Sequence, residues 1–228
     1  MPAVLIVLSS ATHTLTGGHG GWYLPEAAHP YEILSPHYNI DFAAPKGPNP
    51  PVDEGSVKDY AKDESSMKFW NDPVVKDKLA NAKKLSEVDV ADYEAVFYVG
   101  GHGPMMDLAF DEDNAKVAST FWQEGKIVSA VCHGPAGLVK AVDSEGKAIF
   151  AGRTVSAFSN KEEKLFGTVD AVPFSLEDKI VSLGATFVEP DAPYGVKLVV
   201  DGKLITGANP ASGAAVGKAI LEALQKAK

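Results

Sequence analysis

Three stretches of the chain are apolar without interruption and about as long as a strand. Residues 3–9 read Ala-Val-Leu-Ile-Val-Leu-Ser, and comparable runs recur at 95–99 and 127–131. A strand wetted on one face alternates apolar and polar residues. A run without alternation suits a strand covered on both faces, as in a parallel sheet. Helical patterns fall between and after these runs, at 26–38, 71–85, 113–124, 136–142, 175–183 and 211–226. Pro25 suits the first turn of its helix, and Pro30 predicts a kink. Alternating strand and helix predict a layered α/β fold.

Two segments break the rhythm. Residues 44–68 carry several Pro, Gly, Asp and Lys with little periodicity. They are expected to form a flap or insertion, because long loops in compact domains are usually functional. Near the end, Asp201-Gly202 separates two apolar runs, which is a hairpin signal. Nothing resembles a linker, so the expectation is a single domain over 1–228, a length at which a full core forms without staples. The chain has one cysteine, so no internal disulfide can form, and a reducing, cytoplasmic compartment is expected. The first residues are apolar but lack a basic leader, and read as a core strand rather than a signal peptide. No apolar run reaches the roughly 18 residues of a membrane span. The formal net charge of −9 and the absence of a basic cluster argue against nucleic acid as a partner.

The sharpest chemical feature is Val131-Cys132-His133-Gly134-Pro135. An apolar strand runs into a cysteine, Gly and Pro follow, and a helical pattern begins. This layout predicts a nucleophile elbow at Cys132, between strand and helix. A helix N-terminus behind the sulfur would favour the thiolate, bringing the pKa from about 8.5 into roughly the 3.5–7.5 range. The His133 N–H would face an oxyanion. A lone cysteine is more often a buried small hydrophobe, but the adjoining His-Gly-Pro favours chemistry. Val99-Gly100-Gly101-His102-Gly103 also follows an apolar strand. Its Gly101 N–H is a second candidate oxyanion donor, and His102 a candidate for the substrate pocket. Glu26 opens a helix, where a carboxylate commonly complements the dipole. Ser159 and Glu162 form a capping-box pattern, which leaves Glu163 free to face elsewhere. Class I glutamine amidotransferases carry a cysteine on a similar elbow, but their later His-x-Glu pair is missing here. The partner of Cys132 is therefore His133, His102 or a carboxylate. The six histidines lack zinc-like spacing, so no metal is expected.

Taken together, Glu26, Gly100-Gly101-His102-Gly103, Ala130-Val131-Cys132-His133-Gly134-Pro135, Phe158-Ser159-Asn160-Lys161-Glu162-Glu163 and Ile205-Thr206-Gly207-Ala208-Asn209-Pro210-Ala211-Ser212 resemble the ThiJ/PfpI superfamily over nearly the whole chain. They are most similar to its branch of glutathione-independent glyoxalases (glyoxalase III, D-lactate dehydratase), which also holds stress-response chaperones. The resemblance implies a flavodoxin-like three-layer sandwich with a mostly parallel sheet, related to class I glutamine amidotransferases. It implies Cys132 as nucleophile, His133 as acid–base partner, Glu163 orienting His133, and Glu26 shuttling a proton. It also implies a homodimer.

On that footing the expected function is a lyase acting on methylglyoxal or glyoxal. The Cys132 thiolate would form a hemithioacetal, a proton would move through an enediol, and lactate would leave. No cofactor is needed for this internal redox reaction. Three alternatives stay open: a Cys-dependent amidase or peptidase, a deglycase, and a holdase chaperone or redox sensor.

Overall fold

The computed structural model describes residues 2–226. The first half of the chain runs β1 (Ala3–Val7), α1 (Leu24–Leu34), β2 (Asn39–Ala44), α2 (Glu54–Asp59), α3 (Glu64–Asn71), α4 (Pro73–Ala80), β3 (Lys83–Lys84), β4 (Tyr93–Tyr98) and α5 (Gly103–Met106). Then come α6 (Glu112–Gln123), β5 (Ile127–Val131), β6 (Thr154–Val155), α7 (Asn160–Phe166), α8 (Leu176–Ser182), β7 (Thr186–Phe187), β8 (Leu198–Asp201), β9 (Leu204–Gly207) and α9 (Gly213–Lys226). A seven-stranded sheet has the order β3-β2-β1-β4-β5-β9-β8, and β6 pairs with β7 apart from it. The large sheet is mixed: β3 through β9 pair in parallel, and β8 pairs antiparallel with β9.

The uninterrupted apolar runs have a physical reason. Successive residues of a strand face opposite sides of the sheet, and both sides are covered. Leu5, Val7, Val96, Tyr98, Val128 and Ala130 enter one buried cluster, with Phe121 of α6 and Phe150. Val4, Ile6, Ala95, Phe97, Ile127 and Val131 enter the other, with Trp22 and residues of α1 and α9. The molecule is thus an α/β sandwich. None of the helices among the described residues is long and apolar enough to cross a membrane.

The segment 44–68 has its own structure. It finishes β2, forms α2 and begins α3. Asp53 and Asp63 cap the two helices, each accepting backbone N–H bonds through its side chain. The capping box at α7 is present, with Ser159 and Glu162 satisfying one another's backbone N–H groups.

One element departs from expectation in a way that matters for the chemistry. Residues 134–138, Gly-Pro-Ala-Gly-Leu, form a 3-10 turn where the sequence predicts an α-helix. Two glycines and a proline in five residues give little helix-forming tendency. No α-helical dipole therefore stands behind Cys132.

Candidate active site

The carboxyl ends of parallel strands line the crevice where α/β sheets hold ligands, and the candidate residues converge there. Beyond β4, Gly101 adopts φ +85°, which lets the chain turn back. Gly100 is needed for close approach, since a Cβ there would lie 2.5 Å from Glu26 Oε2 and 2.8 Å from Cys132 Cβ. Beyond β5, Cys132 itself takes φ +60°, and His133 follows in the right-handed helical region. Glu26 comes from the first turn of α1 and Glu163 from the first turn of α7.

Glu163 joins the two histidines. Its Oε2 lies 2.6 Å from His133 Nε2, and its Oε1 lies 3.2 Å from His102 Nε2. Thr168 Oγ1 donates to Oε1 as well. The imidazole rings sit 4.5 Å apart between centroids. Burial alone would raise the Glu163 carboxyl, but the His133 charge and the hydrogen bonds from His102, His133 and Thr168 outweigh it. They hold the carboxyl well below the usual carboxylate range. Burial pushes His133 downward, against the upward pull of the Glu163 carboxylate, and so favours the neutral ring. An ionised carboxylate accepts, so Nε2 of His133 carries the proton and Nδ1 keeps its lone pair. This is the arrangement of a base oriented by a carboxylate.

Cys132 stands outside that cluster. Its sulfur is 3.5 Å from His133 Nδ1, on the other side of the ring from Glu163. The residue is 4% exposed and belongs to the apolar cluster on that face of the sheet. Burial, then the Glu26 carboxyl, push the thiol well above its ordinary pKa, while the Gly101 and His133 N–H groups pull the other way without prevailing. Glu26 is wholly buried. Burial raises it to about 8, against the pull of the Cys132 thiol and of Gly100 N–H, which donates to Oε2 at 2.8 Å.

These observations correct the expected mechanism. The sharp turn at Cys132 is formed, but it is not a catalytic nucleophile elbow. The sulfur has no α-helix behind it and its thiol is pushed towards the neutral form, touching His133 Nδ1 and Glu26, while the ionised carboxylate is shared by His102 and His133. A resting Cys132 thiolate attacking an aldehyde, with Glu26 relaying its proton, does not fit this electrostatic arrangement.

A cavity of about 210 Å³ opens over these groups. Glu26, Gly101, His102, Cys132 and His133 line it, while Glu163 lies behind the histidines. Sequence reasoning gave no site role to Tyr23, Asp53, Tyr60 or Tyr194, and quoted Asn209 only as part of a motif; all five also line it. Asp53 and Tyr60 come from the 44–68 segment, whose irregularity was a usable signal. Tyr194 carried one only in hindsight: φ +62° puts this non-glycine residue in a tight turn. His102, His133 and Glu163 also present potential metal-ligand atoms within 4.8 Å of one another, a grouping that their sequence spacing conceals. In this structure both imidazole Nε2 atoms are instead engaged with the carboxylate.

The comparisons with known proteins agree with one another. The profile of the DJ-1/PfpI family matches residues 62–223. The chain is 31% identical over 234 residues to glyoxalase 3 of Candida albicans, with 99% of each chain covered. It is 36% identical over 180 residues to a probable glutathione-independent glyoxalase of Schizosaccharomyces pombe, covering 76% of this chain and 81% of that one. Among solved structures, Rapid Encystment Protein 24 kDa of Francisella tularensis has a TM-score of 0.90 at 33% identity, with 98% of this chain and 99% of that one covered. Glyoxalase III of Candida albicans has a TM-score of 0.88 at 30% identity, with 97% of each covered.

Proposed function

The chain belongs to the DJ-1/PfpI family, close to its glutathione-independent glyoxalase branch, and from that premise we propose that it converts a small 2-oxoaldehyde such as methylglyoxal into the 2-hydroxy acid without glutathione. The observation that carries the reading is the buried His133–Glu163 pair at the wall of a small cavity.

The chemistry suits that pair. Methylglyoxal in water adds a water molecule at its aldehyde carbon. The remaining hydrogen on that carbon is α to the ketone, and so is acidic. His133 Nδ1, released from its resting contact with the Cys132 thiol as substrate enters, takes that proton, giving an enetriol. Protonation at the former ketone carbon then yields lactic acid. One water is consumed, and the aldehyde carbon is oxidised as its neighbour is reduced. Glu163 holds the ring and stabilises the imidazolium that forms. Glu26, neutral at pH 7, offers a hydrogen-bond donor to a substrate oxygen.

The test is lactate formation from methylglyoxal without added glutathione. The parent chain is expected to produce lactate. Glu163→Gln keeps the shape but loses the charge, and is expected to lose about 10²–10⁴-fold in kcat, the usual share of a positioned base. Unchanged turnover in that variant would remove the pair from the mechanism.

A further inference from the structure

A second cavity, of about 230 Å³, adjoins the first and shares Tyr23, Asp53, His102 and Phe166 with it. The two linings contain the carboxyl groups of Asp53 and Asp59, the neutral carboxyl of Glu26 and the imidazoles of His19, His102 and His133, and not one lysine or arginine. Glu163 adds its charge from behind the histidines. A cleft lined by charge of one sign focuses its field on whatever enters.

Asp53 is the charged side chain common to both cavities. It is 8% exposed. Its Oδ1 caps α2 by accepting from Gly55 N–H at 2.7 Å and Ser56 N–H at 3.3 Å. The charge reaches the inner cavity, where it adds to the upward push on Glu26.

Resting in part on the glyoxalase reading, we infer that this double cavity selects by charge: it admits uncharged aldehydes, refuses aldehydes bearing a carboxylate, and repels the carboxylate it produces, with Asp53 setting the preference. The reaction turns a neutral molecule into an anion, so the same field that leaves the substrate indifferent drives the product out. The 44–68 segment, which carries Asp53, is then the specificity element of the site.

The single cysteine makes the charge preference measurable without turnover. Iodoacetamide and iodoacetate alkylate thiols by the same chemistry and differ in charge. Their rate ratio at Cys132, normalised to the ratio at a small free thiol, is expected to favour the neutral reagent by about tenfold or more. The preference is expected to shrink with added salt and to fall severalfold in Asp53→Asn, which retains a good helix cap. A normalised ratio of one in the parent, or an unchanged preference in Asp53→Asn, would overturn the inference. A second measurement compares kcat/KM for 4,5-dioxovalerate and its methyl ester, two 2-oxoaldehydes differing in charge. The ester is expected to lead by a similar factor, narrowed in Asp53→Asn, and equal values would overturn the inference. If neither 2-oxoaldehyde is turned over, the glyoxalase reading fails while the alkylation ratio still decides charge selection. If neither reagent alkylates the buried thiol, the ester and acid decide it.

Discussion

Glu26 and Glu163 are both carboxyl groups in the first turn of a helix, yet their environments push them apart. Glu163 receives bonds from two imidazoles and a hydroxyl and stays ionised. Glu26 meets only one backbone N–H and the Cys132 thiol, and burial outweighs both, so it keeps its proton up to a pH of about 8. The two were distinguishable only after folding, because burial and partners, not residue type, set a carboxyl pKa. The difference has a measurable sign. An unfolded chain releases the Glu26 proton near 4.5, whereas the folded chain holds it to about 8. The contribution of Glu26 to stability is therefore complete below 4.5 and declines as pH rises towards 8, by about 1.4 kcal/mol per unit. Glu26→Gln has no proton to lose. In urea denaturation its stability is expected to gain steadily on the parent between pH 5 and pH 8. Parallel stability curves across that range would contradict a neutral Glu26.

At the scale of elements, the site depends on where strands stop and short helices begin. The ends of β4 and β5 were legible because a Gly-rich turn and a His-Gly-Pro follow each apolar run. Strand β2 was not, since Asn39 and Asp41 interrupt its apolar pattern. The nature of the turn after β5 was misread, because hydrophobic spacing does not distinguish an α-helix from a 3-10 turn rich in glycine. That single difference removes the dipole on which an activated thiolate would depend. Helix α7 was legible through its capping box, and the box has a functional consequence. Ser159 fixes the first turn, where Glu162 is fully buried and also accepts from Tyr194 N–H at 2.9 Å and Asn209 Nδ2 at 2.8 Å. Glu163 follows directly. Ser159→Ala is expected to cost about 1–2 kcal/mol of stability and to lower kcat more than it raises KM, because Glu163 loses its alignment. Thermal and chemical denaturation beside steady-state kinetics would show this, and a variant as stable as the parent would contradict the role of the cap.

At the scale of the whole molecule, the sheet gathers onto one edge residues that are far apart in sequence. His102 and Glu163 are separated by 61 positions and His133 and Glu163 by 30. Periodicity cannot report such contacts, which is why the pairing of Glu163 with His133 was expected only through the family resemblance and the joining of His102 to the same carboxylate was not expected at all. The two-sided burial of β1, β4 and β5 was readable from the apolar runs, since it is written in every residue of those strands. The central claim is that this edge moves a proton from one carbon of a 2-oxoaldehyde to the next with His133 and Glu163. The most direct test is methylglyoxal turnover in deuterium oxide without glutathione, followed by proton NMR. Proton transfer through His133 predicts lactate carrying deuterium at C2. No lactate from folded protein, or undiminished lactate from Glu163→Gln run alongside, would contradict it.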